Sequence, residues 1–215
     1  MTKNFWLSQL ESYRAIAVIR SSNIATGKFL AKAVAKGGMR LIEITWNSEN
    51  PSQLISQLRS ELPNCTIGTG TILTLEDFNE AITAGAQFCF TPHVNLPLIE
   101  AAVNANIPII PGALTPTEII TAWQAGASCV KVFPAQAVGG AKYIQSLQGP
   151  MGSIPLIPTG GVTIENANTF LQAGAIAVGL SGDLFPHSLV VKEDWNAIAK
   201  RAKFLHEEVS MTPRV

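Results

Sequence analysis

The chain is punctuated by short apolar runs that scarcely alternate, and this pattern limits the possible folds more than any other feature. The runs are Ala15 to Arg20, Leu41 to Thr45, Thr66 to Gly70, Phe88 to Pro92, Ile107 to Gly112, Cys129 to Pro134, Pro155 to Gly160 and Ala175 to Ser181. A strand with one wet face alternates polar and apolar residues, whereas a nearly continuous run belongs to a strand buried on both faces, as in a parallel sheet. Between the runs lie amphipathic stretches that open on a capping residue and close on glycine. Thr74 precedes Asp77 and a predicted helix ending near Gly85, and Thr115 precedes Pro116 and a helix ending near Gly126. Thr163 is expected to open a third helix that ends at Gly174. The triplets Ala84-Gly85-Ala86, Ala125-Gly126-Ala127 and Ala173-Gly174-Ala175 mark the same helix-to-strand junction three times.

Together these make about eight βα units of roughly 25 residues, with an extra N-terminal helix around Asn4 to Tyr13. Strands alternating with helices imply an α/β fold, a parallel sheet with helices outside. That number of units favours closure into a (β/α)8 (TIM) barrel, and an open doubly wound sheet is the alternative. No linker, low-complexity stretch or shift in composition divides the chain. Residues 1–215 therefore read as a single (β/α)8 barrel domain.

Of the 215 residues 47% are hydrophobic, ample for one core, and fifteen acids balance fifteen bases. Zero net charge and scattered bases argue against nucleic acid or an anionic membrane as partner. The residues from Met1 to Trp6 lack the basic-then-apolar layout of a signal peptide, and the apolar runs are too short to span a bilayer. A soluble, cytoplasmic protein is expected. Cys65, Cys89 and Cys129 are far apart and suit core packing in a reducing compartment, and His93, His187 and His206 show no metal-ligand spacing. No metal site is expected.

In a barrel of this kind catalytic groups project from the C-terminal ends of strands, so a charge inside an apolar run stands out. Lys131 lies within Cys129-Val130-Lys131-Val132-Phe133 and Glu43 within Leu41-Ile42-Glu43-Ile44-Thr45. One reading is a structural ion pair, but a buried pair often stabilises no more than apolar residues of the same volume. The other is a Schiff-base lysine with a carboxylate as proton shuttle. A free lysine, with a pKa of about 10.4, is almost wholly protonated at neutral pH, and burial is what makes free amine available. The carboxylate would relay protons as a carbinolamine forms and collapses.

Other positions at the barrel mouth suit an anionic substrate. Arg20 ends the first strand, where it either clamps a carboxylate or is simply solvated. Gly68-Thr69-Gly70-Thr71 lacks the Gly-Lys-Ser/Thr ending of a P-loop, yet Thr71 could donate a hydrogen bond to substrate. Pro158-Thr159-Gly160-Gly161-Val162 and Gly179-Leu180-Ser181-Gly182 occupy the loops that commonly bind phosphate through bare backbone N–H groups. The alternative is two ordinary glycine turns. Asp183 and His187 read as loop residues and His93 as at most a rim contact. From the residues alone a phosphate-binding epimerase or isomerase using Glu43 without covalent catalysis stays open, as does a silent metabolite-binding barrel.

The segments Ile42-Glu43-Ile44-Thr45, Gly68-Thr69-Gly70-Thr71, Phe90-Thr91-Pro92-His93, Pro111-Gly112, Val130-Lys131-Val132-Phe133-Pro134-Ala135 and Pro158-Thr159-Gly160-Gly161-Val162 resemble the KDPG/KHG aldolase family. These enzymes act on 2-keto-3-deoxy-6-phosphogluconate (KDPG) and 4-hydroxy-2-oxoglutarate (KHG). The resemblance runs in order from about residue 10 to residue 185 and implies a class I aldolase, typically a homotrimer, that needs no metal or organic cofactor. The implied partner is a small-molecule 2-keto acid sugar phosphate. It implies Lys131 as Schiff base and Glu43 as general acid/base. Thr71, Pro92 and Phe133 would line the pyruvyl pocket, with Gly160, Gly161 and Ser181 at the phosphate. One position departs. Many members carry, four residues after the glutamate, an arginine that holds the substrate carboxylate, and here Asn47 stands there. The resemblance then points to Arg20 as its replacement and to Asn47 as a further substrate-binding position. The Asn47-Ser48 pair also resembles the 2-keto-3-deoxy-6-phosphogalactonate branch, which leaves open which keto acid is cleaved.

Overall fold

Strand β1 (Ala15–Ile19) follows helix α1 (Lys3–Tyr13) in a computed structural model that describes residues 1–213. Helix α2 (Ile24–Lys36), strand β2 (Leu41–Thr45), helix α3 (Pro51–Glu61) and strand β3 (Thr66–Gly70) come next. Then follow α4 (Leu75–Thr83), β4 (Cys89–Phe90), α5 (Leu96–Asn104), β5 (Ile109–Ile110), β6 (Gly112–Ala113) and α6 (Pro116–Gln124). Strand β7 (Val130–Val132) runs through a 3-10 turn at Ala135–Val138 into α7 (Ala141–Met151). The chain finishes with β8 (Leu156–Pro158), α8 (Ala167–Gln172), β9 (Val178–Leu180), α9 (His187–Val191) and α10 (Trp195–Met211). No helix among the described residues is long and apolar enough to cross a membrane.

Every strand pairing is parallel, and β1, β2 and β3 are buried at each position. The continuous apolar runs therefore have the cause inferred for them, burial on both faces. The strands lie in two sheets, β5-β4-β3-β2-β1-β9 and β6-β7-β8. Pro111 separates them: it has no N–H to give the ladder, so the run breaks there. Its carbonyl still accepts from Lys131 N at 2.9 Å, and Ile109–Ala113 thus serves both sheets. At the other seam Thr159 bridges Gly179, and Ile176 N donates to Leu156 O at 3.0 Å. The result is an α/β fold with parallel strands in a curled sheet.

Side chains alternate across that sheet. The outward set meets the helices, while Ile16, Val18, Leu41, Phe88, Phe90, Ile110, Cys129 and Ile157 pack inside. Trp6 and Leu10 of α1 belong to the inner cluster and are fully buried. Trp6 stacks on Phe88 at 4.6 Å between centroids, and its indole N–H donates to Cys129 Sγ at 3.3 Å. Helix α1 therefore floors the interior at the N-terminal ends of the strands, and each such side chain buried is worth about 1.5–3 kcal/mol.

The helix ends follow local chemistry. Thr74 accepts from Asp77 N, and Thr115 forms a reciprocal capping box with Glu118. Gly85, Gly126 and Gly174 share φ values of 98°, 104° and 98°, a left-handed turn that explains the repeated Ala-Gly-Ala. One boundary needs correction. Thr163 does not start its helix: Thr163 N donates to Asn166 Oδ1 at 2.8 Å and Asn166 N to Thr163 Oγ1 at 3.2 Å. That exchange closes a separate turn, and α8 begins only at Ala167.

Candidate active site

Register and parity place Glu43 and Lys131 in the same interior. Val18 is in register with Glu43 and Glu43 with Gly68, while Lys131 lies between Gly112 and Ile157. Their neighbours Val18 and Ile157 belong to the inner cluster, so both charged side chains point inward. Glu43 is 2% exposed and Lys131 7%. Missing side chains make room for Glu43 and for Pro92 beside the strand that neighbours Lys131. A Cβ on Gly70 would collide with the Glu43 carboxylate, and one on Gly112 would meet Pro92 at 2.5 Å.

The two charges do not form a direct ion pair among the described residues. Glu43 Oε1 has no hydrogen-bond partner among the described residues. Burial pushes the Glu43 carboxyl above the usual carboxylate range, more strongly than Lys131 and then Arg20 hold it down. Lys131 Nζ sits 4.8 Å from the centre of the Phe133 ring and 5.8 Å from that of Phe90. Phe133 is 39% exposed, so the ring screens the amine on the solvent side.

The remaining candidates fall around this pair. Arg20 follows β1 and donates from Nε to Asn47 Oδ1 at 3.1 Å, which brings together the two positions that the sequence suggests for a substrate carboxylate. Thr71, just past β3, has φ 62°. For a β-branched residue that costs about 1–3 kcal/mol, and strain of this kind gathers at functional sites. Pro92 follows β4 and packs against Gly112. Gly160 and Gly161, with φ 86° and 81°, follow β8. A side chain at Gly160 would press on Phe133 at 3.2 Å, and one at Gly161 would collide with Gln136. Ser181 follows the neighbouring strand β9. The Thr159–Gly179 bridge thus sets both loops side by side.

Asp183 lies on the loop after β9, as expected, whereas His187 is not a loop residue but opens helix α9 after Pro186. Asp183 accepts from Ile164 N at 3.0 Å and from Arg201 Nη2 at 3.2 Å, which ties the loops after β8 and β9 to α10. His93 contributes its carbonyl to Thr91 Oγ1 at 2.6 Å. A cavity of about 380 Å³ opens on the opposite face and is lined by Glu11, Arg14, Ser153 and Ile176 among others. None of the candidate residues lines it. Two contributors had no role in the sequence reading. Phe90 is apolar in an apolar run, and only its period-two relation to Phe88 and Pro92 would have turned it inward. Trp46 donates from its indole to Asp77 Oδ1 at 2.9 Å and anchors the loop that carries Asn47.

A buried amine that can condense with a ketone, beside a carboxyl able to hold a proton above the usual range, meets the needs of a carbon–carbon lyase of the class I aldolase type. The comparisons agree. The KDPG and KHG aldolase profile matches residues 7–201. The 2-dehydro-3-deoxy-phosphogluconate aldolase of Haemophilus influenzae is 34% identical over 195 residues, covering 90% of this chain and 92% of its own. KDPG aldolase from Legionella pneumophila, solved with pyruvate captured as a covalent carbinolamine intermediate, has a TM-score of 0.86 at 25% identity and covers 93% of this chain and 97% of its own. A native KDPGal structure has a TM-score of 0.82 at 31% identity, covering 92% and 96%. The chain belongs to the KDPG and KHG aldolase family.

Proposed function

We propose that this protein cleaves KDPG to pyruvate and glyceraldehyde 3-phosphate through a Schiff base on Lys131. The Lys131 amine attacks the C2 ketone, and the carbinolamine loses water, with Glu43 assisting, to give an iminium. Glu43 takes the C4 hydroxyl proton, the C3–C4 bond breaks, and its electron pair passes into the iminium to form an enamine. Glyceraldehyde 3-phosphate leaves. Protonation of the enamine at C3 and hydrolysis release pyruvate and restore the amine. Arg20 holds the C1 carboxylate. Thr71, Pro92 and Phe133 line the pyruvyl pocket, and Gly160, Gly161 and Ser181 receive the phosphate.

The observation that carries this reading is the shared burial of Lys131 and Glu43 without a direct ion pair between them. A structural pair would be expected to close; a catalytic one keeps room for substrate. The test is borohydride reduction with pyruvate followed by mass spectrometry. A pyruvyl adduct on Lys131, absent from Lys131→Ala, is expected, and no adduct with a turning-over enzyme would refute the Schiff base.

Two features favour a second substrate, the galactonate epimer of KDPG: the Asn47-Ser48 pair and the likeness to the KDPGal structure. Comparison of kcat/KM for both epimers and for KHG decides. We read the curled sheet as one closed (β/α)8 barrel spanning residues 1–215, with α1 as the extra helix; the last two positions lie outside the described residues. The shared run Ile109–Ala113 and the Thr159–Gly179 bridge support that closure. A cytoplasmic homotrimer completes the proposal. The exposed apolar side chains Leu73, on the loop after β3, and Leu75 and Leu96, at the starts of α4 and α5, suit a subunit contact.

A further inference from the structure

We infer that Asn47 is a positioning residue: its side-chain carbonyl holds Arg20 by Nε and so presents the free Nη1–Nη2 edge to the substrate carboxylate. The inference rests on the reading of Arg20 as the carboxylate clamp and reassigns Asn47 from touching substrate to aiming the group that does.

A guanidinium can grip a carboxylate through either of two paired edges, Nη1 with Nη2 or Nε with Nη2. The bond from Nε to Asn47 Oδ1, at 3.1 Å, occupies the second edge. Nη1 and Nη2 have no other hydrogen bond or ion pair among the described residues. An exposed arginine is otherwise free to sample many rotamers, and fixing it beforehand lowers the entropy lost on binding. Asn47 can serve as the fixed end because its neighbours are pinned. Trp46 N donates to Gly70 O at 2.7 Å and its indole to Asp77. On the other side Ser48 N donates to Thr45 O at 2.9 Å. The buried Ser48 hydroxyl lies 3.2 Å from Thr45 Oγ1 and accepts from Ser21 N, also at 3.2 Å. Glu49 N then donates to Ser21 O at 3.0 Å, which ties the loops after β1 and β2 together. This bracket holds the backbone of both partners, Arg20 through Ser21 and Asn47 through Trp46 and Ser48. The Asn47 side chain itself is exposed, so its loss should leave the fold intact.

The test is a double-mutant cycle of Arg20→Ala and Asn47→Leu, read as KM and kcat for KDPG and as the pyruvate concentration that half-saturates borohydride trapping. Pyruvate carries the carboxylate but no phosphate, so it reports on that end alone. Arg20→Ala is expected to raise both KM and the trapping concentration about tenfold or more, and Asn47→Leu roughly fivefold, with kcat little changed. In the double variant both quantities should match Arg20→Ala, because Asn47 then has nothing to aim. Additive effects would mean that Asn47 touches substrate directly and would overturn the inference while keeping the clamp. A silent Asn47→Leu beside a damaged Arg20→Ala would do the same. An unchanged Arg20→Ala would remove the clamp and the inference with it.

Discussion

Gly70→Ala puts the smallest possible perturbation against the proposed proton shuttle. Gly70 ends β3 on its inner face, in register with Thr45 and beside Glu43. Its φ lies outside the left-handed region, so the backbone accepts alanine and the only obstacle is steric. The new methyl would overlap the Glu43 carboxylate and stand 2.9 Å from its Cγ. Carbon atoms rest at about 3.5–4.0 Å and the carboxylate overlaps more than Cγ does, so Glu43 must retreat by at least about 1 Å. Overpacking of this kind costs about 1–3 kcal/mol of stability, and a misplacement of that size costs about 100-fold in rate. We expect kcat to fall by that factor with a lowered Tm. Gly68→Ala is the control, since its methyl would strike the Phe88 ring in the core instead. It should lose comparable stability and keep most of its kcat. A folded Gly70→Ala enzyme with kcat within about twofold of the parent would show that Glu43 need not stand where it does, and the assignment would fail.

Glu43→Gln separates protonation from packing. Burial raises the folded-state pKa of Glu43, so its stabilising protonated form is fully present below the unfolded value of about 4.3 and is lost as pH rises through the raised one. The variant should equal the parent in urea stability near pH 4 and exceed it near pH 8, while kcat drops about 10²–10⁴-fold. A stability difference independent of pH would contradict this. Arg201→Ala releases the loops after β8 and β9 from α10, because Arg201 Nη2 reaches Asp183 O at 2.7 Å. It should cost about 1–2 kcal/mol by urea denaturation and raise KM for KDPG without altering pyruvate trapping. Equal damage to both ligands would show that those loops do not hold the phosphate end.

Contrast decides how much of such a site a sequence reveals. Lys131 and Glu43 were legible because a charge in a run buried on both faces has no bland environment to occupy. The runs themselves were legible because helices cover one face and the interior the other, which leaves few positions for a polar residue beyond threonines such as Thr45 and Thr69. Phe90 was invisible for the complementary reason: an aromatic among apolar neighbours carries no contrast, although its ring centre lies 5.8 Å from the Lys131 amine. The start of the helix after β8 was misplaced because Thr163 and Asn166 exchange the hydrogen bonds of a cap, yet the residues between them form a turn and regular helix begins only at Ala167. The Arg20–Asn47 contact spans 27 positions and exists only once β1 and β2 are in register. Composition and motif could name the two residues, but not that one holds the other. Glycine supplies the last link. Gly70 and Gly112 are apolar residues in apolar runs, yet on the inner face they are the absences that admit Glu43 and leave Pro92 beside the strand of Lys131. A side chain at either position would claim that volume, leaving the Glu43 carboxylate no place beside the end of β3 and Pro92 none against the strand that neighbours Lys131.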